Sequence, residues 1–82
     1  MDNVTLEKNV EILIDPTTSD STMILQNTMP SMDDFLFVSR NGGSDVRDWL
    51  IIQSGQTIKF STPVYVKQRS REKWVFPIYE AK

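Results

Sequence analysis

Few residues in this 82-residue chain could do chemistry, and what is missing narrows the field first. There is no cysteine and no histidine. Their absence removes the thiolate nucleophile, the disulfide, two of the commonest metal ligands and the usual general base near neutral pH. Carboxylates remain. Asp33-Asp34 with Asp45 and Asp48 could offer oxygen ligands to a hard cation. Their spacing lacks the alternating Asp-x-Asp-x-Asp-Gly of a calcium loop, so they read as solvated loop carboxylates. Two of the acids could form the carboxylate pair of a glycoside hydrolase, but nothing singles out a pair. Asn41-Gly42-Gly43 holds a glycine pair with no helical pattern after it, so it has no helix dipole to turn on a phosphate and reads as a turn. Neither a nucleophile elbow nor a phosphate loop is present. The expectation is a chain that is not an enzyme, with no cofactor and no metal site.

Binding chemistry has one better candidate. Tyr65, Lys67, Arg69, Arg71 and Trp74 interleave bases with aromatic rings. Rings beside a basic groove bind single-stranded nucleic acid, and small β-barrels do this often. The chain as a whole is acidic, with a net charge of −2, and its bases gather in one turn, which argues against nucleic acid and for a solvated hairpin tip. Trp49 and Trp74 could form a sugar platform if exposed, although a thin core also needs large aromatic area. Charge is divided along the chain. Residues 1–35 hold seven acids and one base, a net −6, and residues 36–82 hold eight bases and four acids, a net +4. Both halves could simply solvate one surface, or the two signs could meet between neighbouring subunits and set their orientation.

These side chains must be positioned by a small fold. Eighty-two residues make one domain, residues 1–82, with residues 1–3 expected as a flexible arm. A domain of this size buries roughly 60–65 % of its unfolded surface, a thin core commonly supplemented by disulfides, metals or association. With no cysteine for a disulfide or thiolate site and no histidine ligand, a homo-oligomer is expected. No apolar stretch approaches the ~20 residues of a membrane span, and the start of the chain lacks a signal-peptide pattern, so no membrane role and no secretion are expected.

The periodicity is that of strands. Val4, Leu6, Val10, Ile12 and Ile14 share one parity, with a break expected at Lys8-Asn9 and a stop at Asp15-Pro16. Residues 17–21 read as loop and 22–28 as a second strand. Residues 35–39 are apolar on both parities, which predicts burial by the core on one face and a partner on the other. Gly55 centres a tight connection that needs a positive φ. Ile58 and Phe60 face inward, Val64 and Val66 share a face, 68–73 form a charged turn, and Pro77 confines the last strand to an edge or bulge. The expected fold is all-β, a small single-domain β-sandwich or partly open barrel of about six to eight short antiparallel strands. Residues 49–52 are apolar on both parities too. If Trp49 and Ile51 face inward, Leu50 and Ile52 face outward and need cover. With Leu36, and with Met29 and Met32 in a pliable loop, they form the expected interface, though both Met side chains could equally pack on the domain's own core.

The run WLIIQSGQTIKFSTPVYVKQ resembles small β-structured virion proteins of tailed bacteriophages. In that family a strand ends in Leu-x-x-Gly-Gln/Glu-Ser/Thr, a strand with Phe follows, and the next carries Val-Tyr/Trp-Val/Ala. Leu50 or Ile52, Gly55, Gln56, Thr57, Phe60, Val64, Tyr65 and Val66 match. Upstream, ILQNTMPSMDDFLFVSRNGG is similar to the paired strands that precede this unit, with Asn27 closing one and Phe37-Val38 in the next. The resemblance covers half to two-thirds of the chain, and the basic C-terminal segment departs from the family's Gly/Thr-rich strands. It implies a non-enzymatic capsid-decoration, head-completion or tail-associated subunit. Such a subunit is assembled in the host cytoplasm, located in the virion and partnered by other virion proteins. A binding module for single-stranded nucleic acid or glycan, or an inhibitor or adaptor of a host protein, are the other classes left open.

Overall fold

The computed structural model describes residues 3–16 and 22–81. Among these are eight strands: β1 (Asn3–Glu7), β2 (Ile12–Ile14), β3 (Thr22–Gln26), β4 (Leu36–Ser39), β5 (Leu50–Ile52), β6 (Thr57–Phe60), β7 (Val64–Gln68) and β8 (Lys73–Ala81). Three residues before Trp49, Val46–Asp48, form a single 3-10 turn capped by the Asp45 carboxylate, the one helical element among the described residues. The expected loop at 17–21 and residues 1 and 2 of the expected arm lie outside the described residues; Asn3 already pairs in β1.

The strands form two four-stranded antiparallel sheets, ordered β1-β8-β3-β6 and β2-β7-β4-β5. Every connection crosses between sheets except β4–β5, which pair directly. The chain is thus one long antiparallel ribbon with β4:β5 at its tip, followed by β3:β6, β2:β7 and β1:β8. Successive pairs of the ribbon fall in opposite sheets, and the β3:β8 and β4:β7 ladders join its turns. Wrapping a ribbon this way is the jelly roll, a double-sheet sandwich that shortens the strand edges left open.

Local chemistry explains the breaks. At Asn9 the backbone turns left-handed, with φ 62°, and asparagine tolerates this better than most residues. Its N–H donates to the Gln68 carbonyl at 2.9 Å and the Lys8 N–H to the Glu72 carbonyl at 3.0 Å, so the chain leaves one sheet and enters the other without orphaned donors. Gly55 has φ 85°, as the turn requires. The turn is an arch between sheets rather than a hairpin, since β5 and β6 belong to different sheets. Asn27 fixes the arch: its carbonyl accepts from Gly55 N–H at 2.7 Å and its N–H donates to the Gln56 carbonyl at 2.9 Å. Pro77 does not mark a sheet edge. β8 is an inner strand, and Pro77 sits where the β1 ladder ends and the β3 ladder, starting at Ile78, begins.

The core lies between the sheets and includes Leu6, Leu25, Leu36, Val66 and Phe76, all fully buried. Leu36 and Ile52 are core residues, which corrects their placement on an outward interface. The parity of residues 49–52 is the reverse of the one assumed. Leu36 faces Ile52 and Val38 faces Leu50 across the β4:β5 ladder, and with Leu36 and Val38 committed to the core, Ile51 must point outward. Met29 is buried in the core cluster as well. Its N–H donates to Asn27 Oδ1 at 3.0 Å and its carbonyl accepts from Ser54 Oγ. Met32 alone of that pair is an exposed loop residue, at 87 %.

Candidate functional site

The outer face of the β2-β7-β4-β5 sheet gathers the side chains that the core does not use. Parity along β7 sends Tyr65 and Lys67 outward, with Arg69 beyond the strand end; along β4 it sends Phe37 and Ser39 outward. Lys67 stands opposite Phe37, and Phe37 opposite Ile51. The result is a cation–aromatic array. Lys67 Nζ lies 4.1 Å from the Trp49 ring centroid, and Arg69 Cζ lies 4.6 Å from that of Phe37. Phe35 meets Phe37 edge-on, with centroids 6.4 Å apart. Phe37, Val46, Trp49, Ile51, Lys67 and Arg69 line a small hollow of about 190 Å³.

The loop between β4 and β5 is folded onto this face by its own polar groups. Ser39 Oγ accepts from Asn41 N–H at 3.2 Å and Gly42 N–H at 3.0 Å. Trp49 Nε1–H donates to the Gly43 carbonyl at 3.0 Å. Phe37 and Ser39 are therefore covered by the chain itself, which corrects the expectation that a partner must cover the second face of residues 35–39. Beside this loop Val46, 81 % exposed, and Ile51, 54 % exposed, stay open. Neither Lys67 nor Arg69 has a carboxylate within ion-pair distance among the described residues. At the β2 edge of the same face, exposed Glu11 and Asp15 share the parity of Leu13.

The basic aromatic segment expected to act together is divided by the fold. Tyr65, Lys67 and Arg69 belong to this face. Arg71 does not: its Nη2 is 2.6 Å and its Nε 3.2 Å from Asp34 Oδ2, an acid only 4 % exposed. The Arg71 hydrogen bond, against the opposing cost of burial, pulls the Asp34 carboxyl down to about 2. Asp34 is therefore an ion-pair anchor, which corrects its reading as a solvated loop acid. Trp74 packs partly buried against the core of the other sheet and donates from Nε1 to Thr28 Oγ1 at 3.0 Å. On the outer face, Lys67 and Arg69 already lie over the two rings on which a base would stack. Arg47 holds Asp45 through two nitrogens, at 3.2 and 3.0 Å, and this bond lowers the Asp45 pKa and raises its own.

Among the described residues, no three or more acids gather where they could hold a metal ion. No helix among them is long and apolar enough to cross a membrane. Sequence reasoning missed Phe35, Phe37 and Val46 as part of the face. The usable signal was strand pairing, which puts Phe37 between Lys67 and Ile51.

Fold and face together define a class: a small jelly-roll sandwich with a cation–aromatic outer sheet. No protein family matches the chain, nor does any curated protein or solved structure.

Proposed function

We propose that this chain is a non-enzymatic structural subunit of a bacteriophage virion, a capsid-decoration, head-completion or tail-associated part that docks in many copies onto other virion proteins and onto itself. The carrying observation is the exposed pair Val46, in the turn before β5, and Ile51, on the edge strand β5, beside Lys67 and Arg69. Exposed apolar residues on a free edge are an association surface. Two cations that make no ion pair among the described residues favour a partner surface that is apolar and acidic. Copies of the chain carry such a surface at β2, where Glu11 and Asp15 flank Leu13. Jelly rolls build viral capsids, and they also build lectins and cupins, so the architecture adds support by analogy.

The test is reconstitution. Purified chain is mixed with particles that lack it and centrifuged through a cushion. Wild type should sediment with the particles to a saturating ratio. A Val46→Ser/Ile51→Ser variant with an unchanged unfolding midpoint should stay in the supernatant. Equal sedimentation of both, or of neither, contradicts the proposal.

A further inference from the structure

A second feature lies on the other side of β5. Leu50 stands opposite Val38 in the β4:β5 ladder and shares its inner face, yet Val38 is buried while Leu50 is 62 % exposed. It is a core-facing leucine without a cover. The cause is the arch at 53–56. From it β5 and β6 run into different sheets, and they part as they leave it. The cleft that opens between them holds about 710 Å³. Its lining takes in Leu50 but not Ile52, and residues 58–62 but none of 53–57, so it widens away from the arch. Val38, Ile58, Phe60 and Val64 give it an apolar floor.

The rim is basic. Arg40, Arg47 and Lys59 line it against one acid, Asp48, in a chain whose net charge is −2. Arg47 is held by Asp45, while Arg40 and Lys59 make no ion pair among the described residues. The two come from opposite sheets, Arg40 after β4 and Lys59 from the edge strand β6, where Lys59 alternates with the inward Ile58 and Phe60 and meets the cleft from the strand's edge. Small-molecule sites typically span roughly 300–1,000 Å³ and pair apolar walls with a few polar groups, as this cleft does.

We propose that this cleft binds a small amphipathic anion, with its apolar body on Leu50, Ile58 and Phe60 and its negative head at Arg40 and Lys59. The site is separate from the docking face: it uses Leu50 on the inner side of β5, whereas docking uses Ile51 on the outer side.

The test uses two dyes of similar apolar body, anionic 1-anilinonaphthalene-8-sulfonate and neutral N-phenyl-1-naphthylamine, titrated into the full chain by fluorescence and by amide chemical shifts. The anionic dye should saturate at one per chain and shift amides around Leu50 and Phe60. Arg40→Ala/Lys59→Ala should weaken it about tenfold, the scale of two exposed charge contacts, and leave the neutral dye unchanged. Leu50→Trp should fill the cleft and weaken both dyes; if that variant does not fold, the surface pair decides alone. Equal anionic-dye affinity in the Arg40/Lys59 variant overturns the proposal. So do shifts centred on Phe37 and Val46, or a dye excluded because a second copy covers Leu50 in a sedimenting dimer.

Discussion

Two buried amides hold the loop ends together, and neither announced itself in the sequence. Asn27 is fully buried; its Nδ2 donates to the Asp34 and Ile52 carbonyls, both at 2.8 Å. Gln68, also fully buried, accepts from Ser70 and Arg71 N–H at 3.0 and 2.8 Å and donates to the Leu6 and Arg71 carbonyls. An Asn after a strand and a Gln before a charged turn look like surface residues, because polarity carries no mark of burial. Removing one such side chain orphans its partners. Asn27→Ala should therefore cost about 2–4 kcal/mol, read from urea midpoints, since two carbonyls lose their donor at once. The Asp34–Arg71 pair makes a pH prediction. The Asp34 carboxyl titrates at about 2 in the folded chain against an ordinary value of 3.8. A depressed carboxyl binds protons more readily when unfolded, so its contribution is complete above about pH 4 and is lost as pH falls toward 2. Asp34→Asn should flatten that part of the stability–pH curve, followed by thermal unfolding at stepped pH.

At the scale of elements, the breaks between strands were readable and the pairing was not. Asn9, Pro16, Gly42-Gly43 and Gly55 all stop or turn the chain where composition said they should. Local turn chemistry does not distinguish a hairpin from an arch, so Gly55 was readable as a turn but not as a crossing between sheets. Residues 49–52 are apolar on both parities, and only the register with Leu36 and Val38 decides which way they face. The docking face inherits this difficulty, since its members come from β4, β5, β7 and the loop before β5. The two turns make contrasting predictions. A Cβ on Gly55 would meet nothing within 4 Å, so Gly55→Ala should cost only the strain of its left-handed φ, about 1–2 kcal/mol. A Cβ on Gly42, where φ is 67°, would sit 2.9 Å from Glu11 Oε2 and 3.1 Å from the Tyr65 ring. Gly42→Ala should therefore cost more than Gly55→Ala by about 1 kcal/mol or more, in the range of overpacking, and shift amides on both β2 and β7. Equal costs would show that the 40–43 turn does not press on the outer face.

For the molecule as a whole, the ribbon sets the order of strand pairing and decides which strands lie at the sheet edges. Its ends meet: Asn3 pairs with Pro77, so the last ladder to close joins residues near the two ends of the described chain. Among the described residues, β4:β5 is the one pairing of strands adjacent in sequence. Refolding should accordingly be slow for so short a chain, in the range of roughly milliseconds to seconds that non-local β topologies show, measured by stopped-flow tryptophan fluorescence. A microsecond phase accounting for the full amplitude would contradict the ribbon order. Closing the ribbon leaves β5 at a sheet edge with Val46 and Ile51 uncovered outside and Leu50 uncovered inside. The docking account rests on the outer pair. It is tested most directly by quantitative mass spectrometry of gradient-purified particles from the lysate in which the chain is made. The account predicts this chain in the particle fraction at a fixed copy number across preparations, falling away when Ile51→Lys replaces wild type. A particle fraction free of the chain, with all of it recovered as free protein, would contradict the account.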